Sequence, residues 1–151
     1  MGRARARHPS CELAVQNPVG WPPARVDALA AWLSPLVAEL APRAASLGVC
    51  LADDAALRRA NRRYRGADRP TDVLSFPGQL TAEGWHLGDI LISLPKAERQ
   101  ARRLQHSLDR ELRELLLHGV LHCLGHDHEA DDGEMAALEL GLRERWLPEP
   151  R

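Results

Sequence analysis

Residues 87–106 read LGDILISLPKAERQARRLQH, and a change of pattern inside this stretch decides the fold class. From Leu87 to Leu94 the apolar residues form a short run bounded by Pro95, which reads as a buried strand. Beyond Pro95 no strand pattern recurs. Lys96–His106, Ser107–Leu124 and roughly Asp131–Leu147 all read as helical, and Ser107 is a good N-cap with Asp109 and Glu111 in the following turn. Upstream the pattern is mixed. Cys11–Asn17 alternates loosely and is expected to form a first strand, closed by a turn region from Pro18 to Pro23. Ala24–Leu40 is expected to be a helix, carried by Leu29, Leu33, Leu36, Val37 and Leu40, with a kink or break at Pro35. Ala45–Ala52 reads as a second strand. Asp53 or Asp54 can cap a helix running to about Arg63, and Thr71–Phe76 reads as a third strand ended by Pro77. A long loop from Gly78 to Trp85 would then join it to the fourth strand as a hairpin. The expectation is α+β: a single domain from about residue 11 to 147, with a roughly four-stranded mixed sheet and helices packed on it.

The chain has 151 residues, with 44% apolar and 27% charged, which fits one globular domain and argues against disorder. No apolar run approaches the roughly 20 residues of a spanning helix, so no membrane association is expected. A net charge of -1 excludes a uniformly basic nucleic-acid coat but leaves room for a local patch. The positive charge is almost all arginine, with Lys96 as the only lysine. Either compositional drift or phosphate recognition by the planar guanidinium fork would produce that bias. Cys11, Cys50 and Cys123 are an odd number in no metal-like spacing, so no disulfide framework is suggested and a reduced cytoplasm is expected. Residues 1–10, MGRARARHPS, lack the apolar stretch of a secretory signal and read as a flexible Arg-rich arm.

The most informative chemistry lies in LLLHGVLHCLGHDHE at 115–129. His118 and His122 are four apart, so in a helix they share a face and can reach one ion. Gly125 can adopt the left-handed conformation that ends a helix, letting a third histidine turn back towards the first two. His126 and His128 are both candidates. The spacing H-x-x-x-H-x-x-G-x-x-H favours His128, so His118, His122 and His128 are the expected ligands. Three imidazoles with one open position describe a catalytic zinc site, one ion per chain, at the end of a central buried helix. Asp127, Glu129 and Glu111 are candidates for orienting an imidazole. Cys123 points away around the helix and reads as packing. The zinc-protease motif H-E-x-x-H needs a Glu after its first histidine, and here that residue is Gly119.

Read together, HGVLHCLGHDH at 118–128, YRGADRPTDVLSFP at 64–77 and LGDILIS at 87–93 resemble the YbeY family of metal-dependent endoribonucleases of ribosomal RNA maturation. The resemblance runs from about residue 11 to 146. It implies metal binding by His118, His122 and His128 and a functional role for Arg65, while His126 stands where the family often has Tyr. It also implies a substrate of single-stranded RNA, 16S ribosomal RNA at its 3′ end, with ribosomal particles or their proteins as partners and no DNA. The residues agree with a phosphate partner: RRANRRYRGADR at 58–69 sets six arginines against Asp68. Arg65 is the expected clamp on the scissile phosphate, with Arg62, Arg63 and Arg69 as further backbone contacts. Only Tyr64 and Trp85 among the aromatics are expected in loops, so base stacking should be weak. Rival expectations are a peptidase lacking the usual Glu, and a ribosome-assembly factor that binds RNA without cutting it.

Overall fold

The computed structural model describes residues 11–67, 71–127 and 130–148. Strand β1 (Glu12–Gln16) leads into helix α1 (Pro23–Leu40), strand β2 (Ala44–Ala52) and helix α2 (Asp54–Arg65). A hairpin of β3 (Val73–Thr81) and β4 (Gly84–Ser93) precedes α3 (Leu94–Leu104), α4 (Leu108–Cys123) and α5 (Glu134–Trp146). The strands form one mixed sheet in the order β1-β2-β4-β3. β1 and β4 flank β2 in parallel, and β3 runs antiparallel along the outer edge of β4. The α+β architecture is as expected.

Two-residue alternation decides which side chains meet which layer. Leu47, Val49 and Leu51 of β2 join Ile90 and Ile92 of β4 in the main core beneath α1 and α4. The intervening Cys50, Ala52 and Leu91, with Leu74 and Phe76 of β3, face α2 in a smaller core around Leu57. Helix α4 occupies the centre. It packs against β3, β4, α1, α3 and α5, and its leucines at 112, 115, 116, 117 and 121 are all buried, as a helix apolar nearly all round requires. Ser107 caps it, its hydroxyl accepting from the Arg110 N–H.

Three local expectations are corrected. Of the kink or break expected at Pro35, the break is excluded: helix α1 is continuous through it. Pro35 and Ala31, whose carbonyl loses its partner, both lie on the exposed side, where water meets that carbonyl. The buried Leu29, Leu33, Leu36 and Val37 hold the helix from the other side. Pro77 likewise does not end β3. It lies opposite Gly88 on an edge strand, where a missing N–H costs no ladder bond, and pairing continues to Thr81. The expected long loop is therefore a strand closed by a two-residue turn, in which the Thr81 hydroxyl donates to the Gly84 carbonyl at 2.8 Å. In consequence Trp85 belongs to β4 and packs against the core; separately, α2 runs on to Arg65, where Gly66 closes it, so Tyr64 and Arg65 belong to its last turn.

Helices α2 and α3 are joined by one acid. Asp54 accepts from the Ser93 hydroxyl at 2.6 Å and from Arg99 at 2.8 Å, while the same Ser93 hydroxyl caps α3. Hydrogen bonds from Ser93 and then Arg99 hold the Asp54 carboxyl below its usual range. A folded-state pKa below the unfolded one stabilises above the unfolded value of about 4, and the contribution vanishes as pH falls through the lowered pKa. Asp54→Asn should therefore melt below the parent at pH 7, with the gap closing under strong acid; a gap that persists there would contradict this clasp.

Gly119 sets how closely α4 lies on the sheet. A Cβ there would stand 2.9 Å from Ile90 Cδ1 and 3.0 Å from Ile90 Cγ2 and Ser75 Oγ. Alanine would gain about 1 kcal/mol in helix preference over glycine. Overpacking a core costs about 1–3 kcal/mol, so Gly119→Ala should lose stability on balance. Urea unfolding measures this directly, and a stabilised variant would show that the contact gives way.

Candidate metal centre

Helix α4 ends in a turn that the sequence dictates. The Gly125 N–H donates to the His122 carbonyl at 2.9 Å and the His126 N–H to the Leu121 carbonyl at 3.1 Å, with Gly125 at φ 96°. This paired closure is the left-handed helix stop expected at Gly125. His118 and His122 face the same way one turn apart, their rings edge to face with centroids 4.5 Å apart. Their Nε2 atoms lie 3.0 Å from each other. Two nitrogens bound at about 2.05 Å to one tetrahedral zinc would be roughly 3.3 Å apart, so the pair fits a shared ion with little adjustment.

The orientation of His118 is fixed from behind. Its Nδ1 lies 3.0 Å from Glu139 Oε1 on α5. A carboxylate accepts, so Nδ1 carries the proton and Nε2 turns its lone pair towards His122. Burial pushes the Glu139 carboxyl up, but the hydrogen bonds from His118 and Arg143 and the positive charge of Arg143 outweigh it and keep it below the usual range. Glu139 thus stays ionised beside the imidazole it orients.

Glu139 was not among the expected orienting acids. Of those, Glu111 is buried near the other end of α4, 2.6 Å from His106 Nε2, and Glu129 lies outside the described residues. Asp127 lines the cavity described below. The signal for Glu139 was available. Met135, Glu139 and Leu142 recur at helical spacing, and the two apolar members are buried, so an acid stands within an inward stripe.

A cavity of about 490 Å³ opens in front of the histidine pair, bordered by Arg65, Ser75, His118, His122, His126 and Asp127. Arg65 reaches it from the end of α2, where Gly66 at φ 69° closes the helix. Its Nη2 donates to the Ser75 carbonyl at 3.0 Å, and its guanidinium carbon sits 6.0 Å from the centre of the Phe76 ring. The expected clamp and two expected ligands thus share one cavity. Arg62 and Arg63 are exposed on α2 and do not line it. Arg69 and the third expected ligand, His128, lie outside the described residues. Asp72 accepts from Gln100 at 3.0 Å, and the Thr71 hydroxyl donates to the Val73 carbonyl at 3.2 Å. Cys123 is packing, as expected. Burial, and then the charge of Asp89, push its thiol up to about 12.

His106, Glu111 and Glu114 form a second group that could hold a metal ion, with ligand atoms all within 4.8 Å of one another. Here each charge also has a protein partner: His106 meets Glu111, and Glu114 accepts from Arg110 at 3.2 Å.

The family description Endoribonuclease YbeY matches residues 24–146. The chain belongs to the YbeY family. An endoribonuclease YbeY of Koribacter versatilis is 57% identical over 89 residues, which cover 59% of this chain and 57% of the relative. One from Aquifex aeolicus is 44% identical over 106 residues, covering 70% and 71%. The match to the Koribacter protein therefore spans a little over half of that relative's length. A solution structure of a Thermotoga maritima protein aligns with a TM-score of 0.60 at 26% identity, over 92% of this chain and 99% of its own.

Loss of the carboxylate behind His118 should weaken metal binding by about 10–100-fold. Glu139→Ala, titrated with zinc against a competing chelator, is the measurement; parental affinity would remove Glu139 from the site.

Proposed function

We propose that this YbeY-family chain is a metal-dependent endoribonuclease that cuts single-stranded RNA, with ribosomal RNA near the 16S 3′ end as its natural target in the cytoplasm. The observation that carries the reading is the shared cavity: two convergent imidazoles on one wall and an anchored guanidinium on another. The family supports RNA as the substrate. Maturation of the 16S 3′ end, a part in ribosome quality control and contact with ribosomal particles extend that reading. Among the described residues no helix is long and apolar enough to cross a membrane.

His118 and His122, with His128 as the third ligand, would hold the cation, with zinc suited to an all-imidazole set. When bound, it would supply Lewis acidity and concentrated positive charge at the phosphodiester. Arg65 does the positioning. One arm of its guanidinium donates to the Ser75 carbonyl, which anchors it on the cavity wall and leaves further donors for a phosphate. Those donors suit two phosphate oxygens and stabilise charge that builds on them during displacement. His126, on the cavity wall, offers an imidazole able to exchange a proton with a leaving oxygen. Peptide hydrolysis is disfavoured because the general-base position of a zinc protease is Gly119, which faces Ile90 and Ser75 where no Glu side chain fits.

Labelled single-stranded RNA, duplex RNA and casein, each incubated with the zinc-loaded protein, form the test. Single-stranded RNA should be cut, chelation should stop it, and Arg65→Ala should lower kcat/KM by about 10²–10³-fold. Cleavage of casein, or RNA bound but never cut by the metal-loaded protein, would overturn the reading in favour of a peptidase or an assembly factor.

A further inference from the structure

A second cavity, of about 630 Å³, lies between α2 and α3 beside the first. Arg65 borders both, as does the stretch Thr71–Val73. A polymer could therefore pass from one to the other along a common wall. The size is within the roughly 300–1,000 Å³ of small-ligand sites.

Its chemistry comes mainly from one face of α3. Lys96, Gln100 and Arg103 follow at i, i+4 and i+7, so they stand in a row, while Leu94, Ala97 and Ala101 bury the opposite side. With Arg65 this gives three cations around the cavity. Among the described residues Asp72 is the one acid that lines it, and its carboxylate is held by Gln100. Nearby Asp54 is matched by Arg99 and Ser93. Among the described residues neither Lys96 nor Arg103 forms an ion pair. Among the described residues no aromatic ring lines the cavity, which suits a charged backbone and not base stacking.

We propose that this cavity is a second phosphodiester subsite, in which Lys96 and Arg103 hold the RNA strand adjacent to the bond that lies before Arg65 and the histidines. The proposal rests on the nuclease reading for its substrate. Arg65 is the hinge between the two subsites, and the Asp54 clasp keeps α3 at a fixed distance from α2. The subsite ignores sequence and adds affinity in proportion to charge.

The experiment measures binding of a labelled oligoribonucleotide, long enough to span both cavities, by fluorescence anisotropy over a range of salt. The full chain carries His118→Ala so that the RNA survives. Adding Lys96→Ala and Arg103→Ala should weaken binding about tenfold and flatten the plot of log affinity against log salt by about 0.7 for each phosphate no longer neutralised. Lys96→Arg with Arg103→Lys should restore both. Arg43→Ala, which removes a like charge at the opposite end of β2, should stay within about twofold of the parent. A double alanine variant no weaker than the Arg43→Ala control, with an unchanged salt slope, would overturn the subsite. The two readings also fail separately. If the metal-loaded parent cuts no RNA but the double variant loses affinity, the nuclease reading falls and the subsite stands; cleavage by the parent with unaltered binding in the variant does the reverse.

Discussion

The second half of α4, from Leu115 to Cys123, is apolar on nearly every side and must be covered accordingly, and it imposes that demand on the whole molecule. The sheet covers one flank, α1 and α3 two more, and α5 closes the last. Because those contacts fix the rotation of α4, they also fix the direction in which His118 and His122 point. Gly119 is the residue that lets the helix sit this low on β4. The same close approach removes any room for a carboxylate directly after His118. Packing and chemistry are thus decided at one interface.

Most of this was legible because it depends on local spacing. Histidines four apart and a glycine three residues later define a face and a stop in any helix. The strand-to-helix change at Pro95 likewise needs no tertiary information. The two prolines that depart from expectation do so for a shared reason. The cost of a proline depends on whether the backbone groups it strands are buried, and single-chain patterning does not show that Pro35 faces water or that Pro77 sits on a sheet edge. Glu139 escaped because it acts across 21 residues of chain, on a helix whose role in covering α4 emerges only in three dimensions. His128 lies outside the described residues, so its assignment rests on the spacing and on the family resemblance.

The arginine bias has a double origin. Arg25, Arg99, Arg110, Arg143 and Arg145 meet Asp109, Asp54, Glu114, Glu139 and Glu39 respectively, joining elements distant in sequence or bracing a helix. The exposed ones among them, such as Arg25–Asp109 and Arg145–Glu39, are each worth little, about 0–1 kcal/mol. Each pair also cancels the local field of its arginine, so these five add little positive potential to the surface. What this leaves is uneven: cations concentrate where α2 and α3 border the two cavities, and acids concentrate in the turn that leads into α5, at Asp131, Asp132 and Glu134. Local field, and not total charge, is what a phosphate backbone would meet.

The register of the β3–β4 hairpin links these parts. Val73 and Ser75 face α4, while Leu74 and Phe76 face α2. A slip of one residue would exchange the two sets, putting Leu74 before the histidines and moving the Ser75 carbonyl away from Arg65. Glycine resists that slip at two places. A Cβ on Gly78 would collide with the His86 carbonyl, and one on Gly88 would stand 2.5 Å from the Phe76 carbonyl and 2.6 Å from Cys123 Sγ. Each glycine therefore matches a close approach that exists only in this register, and Gly88 ties it to α4 through Cys123. The guanidinium of Arg65 and the imidazoles of His118 and His122 lie more than 50 residues apart in the chain, yet their relative position follows from these hairpin contacts.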